Sequence, residues 1–201
     1  ALTLVAGAAS GGTCFVVRSA AGIRGPGDLH GKRLAAPQIG NTQDVALRHY
    51  LSQHGLADTE RGGDVTLTAM DNANILSLFR QGSLDGAWVP EPWASRLVAE
   101  ADGTILLDER DLWPARAFAI TVLVARRAYL RDAPSVIDRL VDAHAREVRW
   151  IRQHPEEARA LVSSGLERKT GRALPPSLVS AAWPRLDFTA DAHRASIEAM
   201  T

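Results

Sequence analysis

Between Lys32 and Leu107, short apolar runs alternate with stretches whose apolar residues recur every three or four positions. Strand Lys32–Ala36 precedes helix Thr42–His54, strand Val65–Ala69 precedes helix Asn72–Gln81, and strand Gly86–Val89 precedes helix Pro92–Ala101. Ile75, Leu76 and Phe79 form one helix's apolar face, Gly82 ends that helix, and Pro92 stands just inside the start of the next. Strand Thr104–Leu107 and the apolar run Phe118–Ala125 close the series. This alternation predicts an α/β fold with a mostly parallel sheet covered on both faces. Ahead of it, strand Leu2–Ala6 runs into a turn-rich segment, Gly7 to Gly12, and a second strand covers Cys14–Val17. Gly22 to Gly31, with Gly25-Pro26-Gly27, reads as a loop.

From Asp132 onward the pattern is helical throughout. A long helix begins at Pro134 with the stripe Val136, Ile137, Leu140, Val141, Ala145, Val148 and Ile151, and shorter ones follow at Pro155–Ser163, Pro175–Trp183 and Ala190–Met200. These stripes have no sheet of their own to cover. They are expected to belong to a second lobe whose sheet lies mostly upstream, and the N-terminus, which opens on a strand, reads as a cut.

Composition narrows the function classes. A chain of 201 residues holds one large domain or two modest ones. With 23 basic and 23 acidic residues no basic face is advertised, which argues against a nucleic-acid partner. Any anion binding has to come from local geometry. The single cysteine, Cys14, lies in an apolar strand and reads as a small buried hydrophobe. No apolar run is long enough to span a membrane, and Ala1–Val5 lacks the charged start of a signal peptide. The six histidines are scattered without metal-ligand spacing, and neither a nucleophile elbow nor a P-loop is present, so no cofactor or metal is implied.

The stretch Pro37 to Asp44 stands out. Asn41 is a good helix N-cap, Asp44 follows three residues later as a capping-box-like acid, and Gly55 closes the helix. A strand, a glycine turn and a small polar helix start leave N–H groups pointing outward at a positive helix end, a place for an anion. Ligands of open α/β sheets bind beyond the carboxyl ends of the strands. The candidates there are Gln38, Gly40, Asn41, Thr42 and Gln43 after the first strand, Asn72 after the second, and Trp88 and Glu91 at the third. Ser10 and Gly11 join them, in a glycine-rich segment where backbone approaches a ligand closely. Each has a plainer reading: Asn41, Thr42 and Asn72 as helix caps, Trp88 as core, and Glu91 as an acid favouring the next helix start.

Three stretches together resemble the solute-binding proteins of ABC importers for nitrate, taurine and alkanesulfonates. They are Asp28-Leu29-His30-Gly31-Lys32-Arg33-Leu34-Ala35, then Gly40-Asn41-Thr42-Gln43-Asp44, then Phe79 to Trp88 leading into Glu91-Pro92-Trp93. The resemblance implies a periplasmic-binding-protein-like two-lobed clamshell of type II, with a complete Rossmann-like second lobe and a partial first lobe. Residues 1–17 are then part of the first lobe with a hinge crossover, 18–117 the second lobe, and 118–201 the return strand with the C-terminal helices. The implied function is capture of a small anion or zwitterion, without catalysis, and its delivery to an importer permease. The implied location is periplasmic or extracellular, with a lipid anchor possible upstream. Two other readings share the fold: a ligand-sensing regulatory domain, and an enzyme resembling thiamine-pyrimidine synthases, whose cysteine-rich motif is absent here.

Overall fold

The computed structural model describes residues 1–199. In chain order the elements begin β1 (Leu2–Gly11), β2 (Thr13–Arg18), β3 (Arg33–Ala36), α1 (Thr42–Gln53), β4 (Thr66–Ala69), α2 (Asn72–Arg80), β5 (Gly86–Pro90), α3 (Trp93–Glu100) and β6 (Gly103–Asp108). They continue with β7 (Ala119–Arg126), α4 (Arg127–Asp132), α5 (Pro134–Gln153), α6 (Pro155–Thr170), α7 (Pro176–Ala182), β8 (Leu186–Phe188) and α8 (Arg194–Ala199). The α/β class is as expected from the sequence. The chain forms two compact units, one comprising Ala1–Gly11 with the chain from Leu112 onward, the other Gly12–Asp111.

The second unit, Gly12–Asp111, carries a five-stranded sheet in the order β4-β3-β5-β2-β6. β3 pairs parallel with β4 and β5, while β2 pairs antiparallel with both β5 and β6. Four strands therefore run one way and β2 runs against them. The expected mostly parallel sheet is corrected to a mixed one, because β2 enters directly from β1 rather than through a helical crossover. Both faces are covered, as expected. On one face Cys14, Val16, Ala87 and Val89 pack with Ile75, Leu76 and Phe79 of α2 and Leu97 of α3. On the other, Phe15, Val17, Leu34 and Trp88 pack with Leu47, Tyr50 and Leu51 of α1. Strand alternation produces this two-sided sorting from one apolar run.

The Asp85-Gly86-Ala87 step has a structural reason. Asp85 accepts from the Arg33 N–H at 3.0 Å, from Arg33 Nε at 3.0 Å and Nη2 at 2.9 Å, and from Arg18 Nη2 at 3.2 Å. It thereby ties together the starts of β3 and β5 and the end of β2. Gly86 follows because a Cβ there would stand 3.0 Å from both Leu34 and Phe15.

The first unit has a sheet of its own, ordered β7-β1-β8, with β1 antiparallel to both neighbours. Two expectations fall here. Gly7 to Gly12 is not a turn-rich segment: β1 extends through Gly11. The small residues serve close packing, since a Cβ on Gly7 would lie 1.9 Å from the Asp191 carbonyl oxygen, whose neighbour Ala190 accepts the Gly7 N–H at 2.9 Å. The tail is also not helical throughout, because β8 returns to pair with Ala9–Gly11. The helices after Pro134 thus have a sheet to cover, α5 packing on β1 and β8 and α8 on β7. The helix expected at Ala190–Met200 starts at Arg194, and its expected end at Met200 lies outside the described residues. Several apolar side chains of this unit stay exposed, among them Leu140 and Leu161.

The Asp85 cluster makes a prediction. Its hydrogen bonds from Arg33, then those from Arg18, hold the carboxyl at about 2, below its ordinary 3.8. A depressed carboxylate contributes its full stability above its unfolded value and loses it as pH falls through the folded one, here between about pH 4 and pH 2. The contribution is about 2 kcal/mol. Urea unfolding should show the gap between wild type and Asp85→Asn constant from pH 7 to 5 and closing below pH 4; a gap unchanged down to pH 2 contradicts this.

Candidate functional site

In the second unit the carboxyl ends of β3, β4, β5 and β6 lie on one edge of the sheet, together with the start of β2, since Thr13 pairs with Pro90 and Cys14 with Asp108. The turn after β3 is built from a few residues. Gly40 adopts φ 73°, which glycine accepts without strain. Asn41 caps α1, its side-chain oxygen accepting the Asp44 N–H at 2.9 Å. The Asp44 carboxylate reaches back to accept the Gly40 N–H at 2.9 Å, one residue beyond the usual capping-box target. Its other oxygen takes Arg48 Nε at 3.0 Å, and Arg48 Nη1 donates to Asp58 at 2.6 Å. Asp44 and Asp58 are both buried.

The positive end of α1 therefore already has an internal anion, Asp44, paired with an Arg48 that it shares with Asp58. What remains for a ligand is directional. The N–H groups of Thr42 and Gln43, in the first turn of the helix, have no hydrogen-bond partner among the described residues. Thr42 is exposed and Gln43 is 7% exposed.

A second feature marks the same edge. Among the described residues three buried side-chain polar atoms lack a partner: Thr13 Oγ1, Asn72 Oδ1 and His193 Nε2. The first two lie at this edge. Thr13 is fully buried, and by strand alternation its side chain shares the face of Phe15 and Val17, the face that α1 covers. An orphaned buried hydroxyl costs about 1–3 kcal/mol, and this one stands on the same edge of the sheet as the start of α1.

The other candidates divide. Gln38, Gly40, Asn41, Thr42 and Gln43 come together in the α1 turn, with Gln38 exposed. Asn72 is not the cap of α2. Asp71 is, accepting the Asn74 N–H at 3.0 Å, and Asn72 follows with its side-chain oxygen orphaned. Trp88 is a core residue, fully buried, stacked on Phe15 at 5.3 Å and donating Nε1–H to Glu109 at 2.7 Å, so it does not wall a ligand. Its position next to Gly86-Ala87, on the α1-covered face, explains why. Glu91 accepts from the N–H and the hydroxyl of Ser95, both at 3.0 Å, at the start of α3, the plainer reading of that residue. Ser10 and Gly11 belong to the first unit, where Ser10 Oγ accepts the Phe118 N–H at 3.1 Å and Gly11 adopts φ 73°. Thr13, Asp44 and Arg48 were absent from the candidates. Asp44 was legible only as a cap, and Thr13 is brought to this edge by the reversal of β2, which no local pattern encodes.

The fold is the α/β fold of periplasmic binding proteins. The alkanesulfonate-binding protein SsuA from Xanthomonas axonopodis pv. citri, solved bound to MOPS, superposes with a TM-score of 0.72 at 21% identity, over 99% of this chain and 65% of that one. Residues 16–165 match the profile of the NMT1-like family, and the chain belongs to that family. It is similar to the taurine-binding periplasmic protein of Escherichia coli (strain K12), 30% identical over 118 residues, covering 57% of this chain and 34% of the relative. It is also similar to the nitrate/nitrite binding protein NrtA of Nostoc sp. (strain PCC 7120), 24% identical over 133 residues, covering 65% of this chain and 28% of the relative. The matched stretch thus spans about a third of each curated relative. These are the relatives that the three motif stretches resemble.

Thr13 supplies a test. Thr13→Val removes an orphaned hydroxyl and keeps shape and β propensity, so it should stabilise the protein by about 1 kcal/mol. If the hydroxyl serves a ligand, the same change weakens binding. Thermal unfolding beside ligand titration checks both; a variant less stable than wild type contradicts the assignment of Thr13 as an unpaired site residue.

Proposed function

We propose that the protein is the solute-binding component of an ABC importer. It captures a small anion or zwitterion of the sulfonate, taurine or nitrate class outside the cytoplasmic membrane and delivers it to a membrane permease. The observation that carries this reading is the α1 turn, with the free N–H groups of Thr42 and Gln43 and the orphaned Thr13 hydroxyl on the same edge and face of the sheet. An oxyanion accepts several hydrogen bonds at once and is favoured by a helix start. Because Arg48 is committed to both Asp44 and Asp58, recognition rests on directed neutral donors rather than on a bare cation. The similarity to a taurine-binding protein and a nitrate/nitrite binding protein supports the solute class. The activity proposed is binding rather than catalysis. With it goes a division into two lobes, which we propose follows the two compact units, Ala1–Gly11 with the chain from Leu112 onward and Gly12–Asp111, rather than the expected bounds 1–17, 18–117 and 118–201, which cut through β2.

Calorimetric titration with taurine, ethanesulfonate and nitrate, followed by amide chemical shifts, tests the reading. At least one solute should bind saturably and shift the Thr42 and Gln43 amides most. Saturable binding by none of them, or shifts confined to other segments, contradicts it.

A further inference from the structure

The donors at the α1 turn are aimed by groups that lie behind it. Asp44 cannot fix the turn by itself, because a buried carboxylate with one backbone partner remains poorly compensated. Arg48, one helical turn further on, holds its second oxygen at 3.0 Å. Arg48 is in turn held by Asp58 at 2.6 Å, and Asp58 accepts the Arg61 N–H at 3.1 Å in the short turn that leads toward β4. The order of contacts runs Asp58, Arg48, Asp44, Gly40. Arg48 Nε and Nη1 engage different carboxylates, so one planar guanidinium fixes the spacing of both. Gly40 is the residue with freedom to turn, at φ 73°, and its N–H is the one this chain ends on.

We propose that Arg48 and Asp58 are positioning residues for solute binding: through Asp44 they hold the Gly40 N–H and so set the direction of the free Thr42 and Gln43 N–H groups. The inference rests on the proposed binding role of this turn and deepens it, assigning its geometry to two residues that act on it through Asp44. Charge enters as well. Because Arg48 is shared between two acids, the helix start gains a fixed carboxylate without a surplus cation beside it, so selection among oxyanions falls to donor direction.

The test uses Arg48→Gln, Arg48→Lys and Asp58→Asn, with taurine as the probe. Asp58→Asn keeps a side-chain oxygen for the Arg61 N–H and remains informative should Arg48→Gln fold poorly. Three readouts are taken on each folded protein: hydrogen exchange at the Gly40 amide, the taurine dissociation constant, and the melting temperature. Arg48→Gln should speed Gly40 exchange and weaken taurine about tenfold, the size of one lost charged hydrogen bond. Asp58→Asn should do less, and Arg48→Lys, which restores a cation to Asp44, should recover part of both. A merely structural role lowers the melting temperature but leaves taurine affinity of the folded protein within twofold, and that result overturns the proposal. So does weakened taurine binding with Gly40 exchange unchanged. If wild type does not bind taurine while the variants still speed Gly40 exchange, the binding role of the turn fails and the contact chain stands; slow exchange in every variant overturns the chain itself.

Discussion

The antiparallel seat of β2 between β5 and β6 is the constraint on which the second unit depends. Four strands and their helices obey the usual βαβ logic, and one strand entering from the opposite direction completes both cores at once. Cys14 and Val16 feed the face under α2 and α3, while Phe15 and Val17 feed the face under α1. The reversal also decides what stands at each edge. Arg18, at the end of β2, meets Asp85 at the amino edge, and Thr13, at its start, arrives at the carboxyl edge beside Pro90. The same pairing supplies a structural anchor on one side and an orphaned hydroxyl on the other.

Much of the fold was legible because periodicity and caps agreed. The helices beginning at Thr42 and Asn72 appear within a residue or so of their expected spans, with Asn41 as cap of the first and Gly55 in the left-handed conformation after it. What stayed hidden was set by tertiary approach. Gly7 looks like a turn residue, yet it is small because the segment at Asp191 packs against its strand. β8 is three residues long and exists only through its pairing with β1, so no window of sequence reveals it. For the site, the turn at Gly40 to Gln43 was readable from local chemistry. Trp88 was not, since its burial depends on Phe15, Tyr50 and Glu109, all distant in sequence. Thr13 escaped for the same reason.

The electrostatic design is economical in charge. Acids and bases balance across the chain, and the prominent arginines of the second unit are committed: Arg33 and Arg18 to Asp85, Arg48 to Asp44 and Asp58, Arg96 to Glu100. A site in this setting works through backbone donors at a helix start, where the peptide dipoles supply a partial positive charge without a desolvated cation. Under the proposed function, such an arrangement holds a small solute without a dominant ion pair. The NMT1-like family assignment and the periplasmic-binding-protein fold are consistent with the proposed role.

The central claim is that the α1 turn and Thr13 form one wall of a solute site. Crystals grown or soaked with an alkanesulfonate test it most directly. The account predicts the sulfonate oxygens within hydrogen-bond reach of the Thr42 and Gln43 N–H groups, with the Thr13 hydroxyl gaining its missing partner. Density for the sulfonate at full occupancy elsewhere, with this turn and Thr13 untouched, would contradict it.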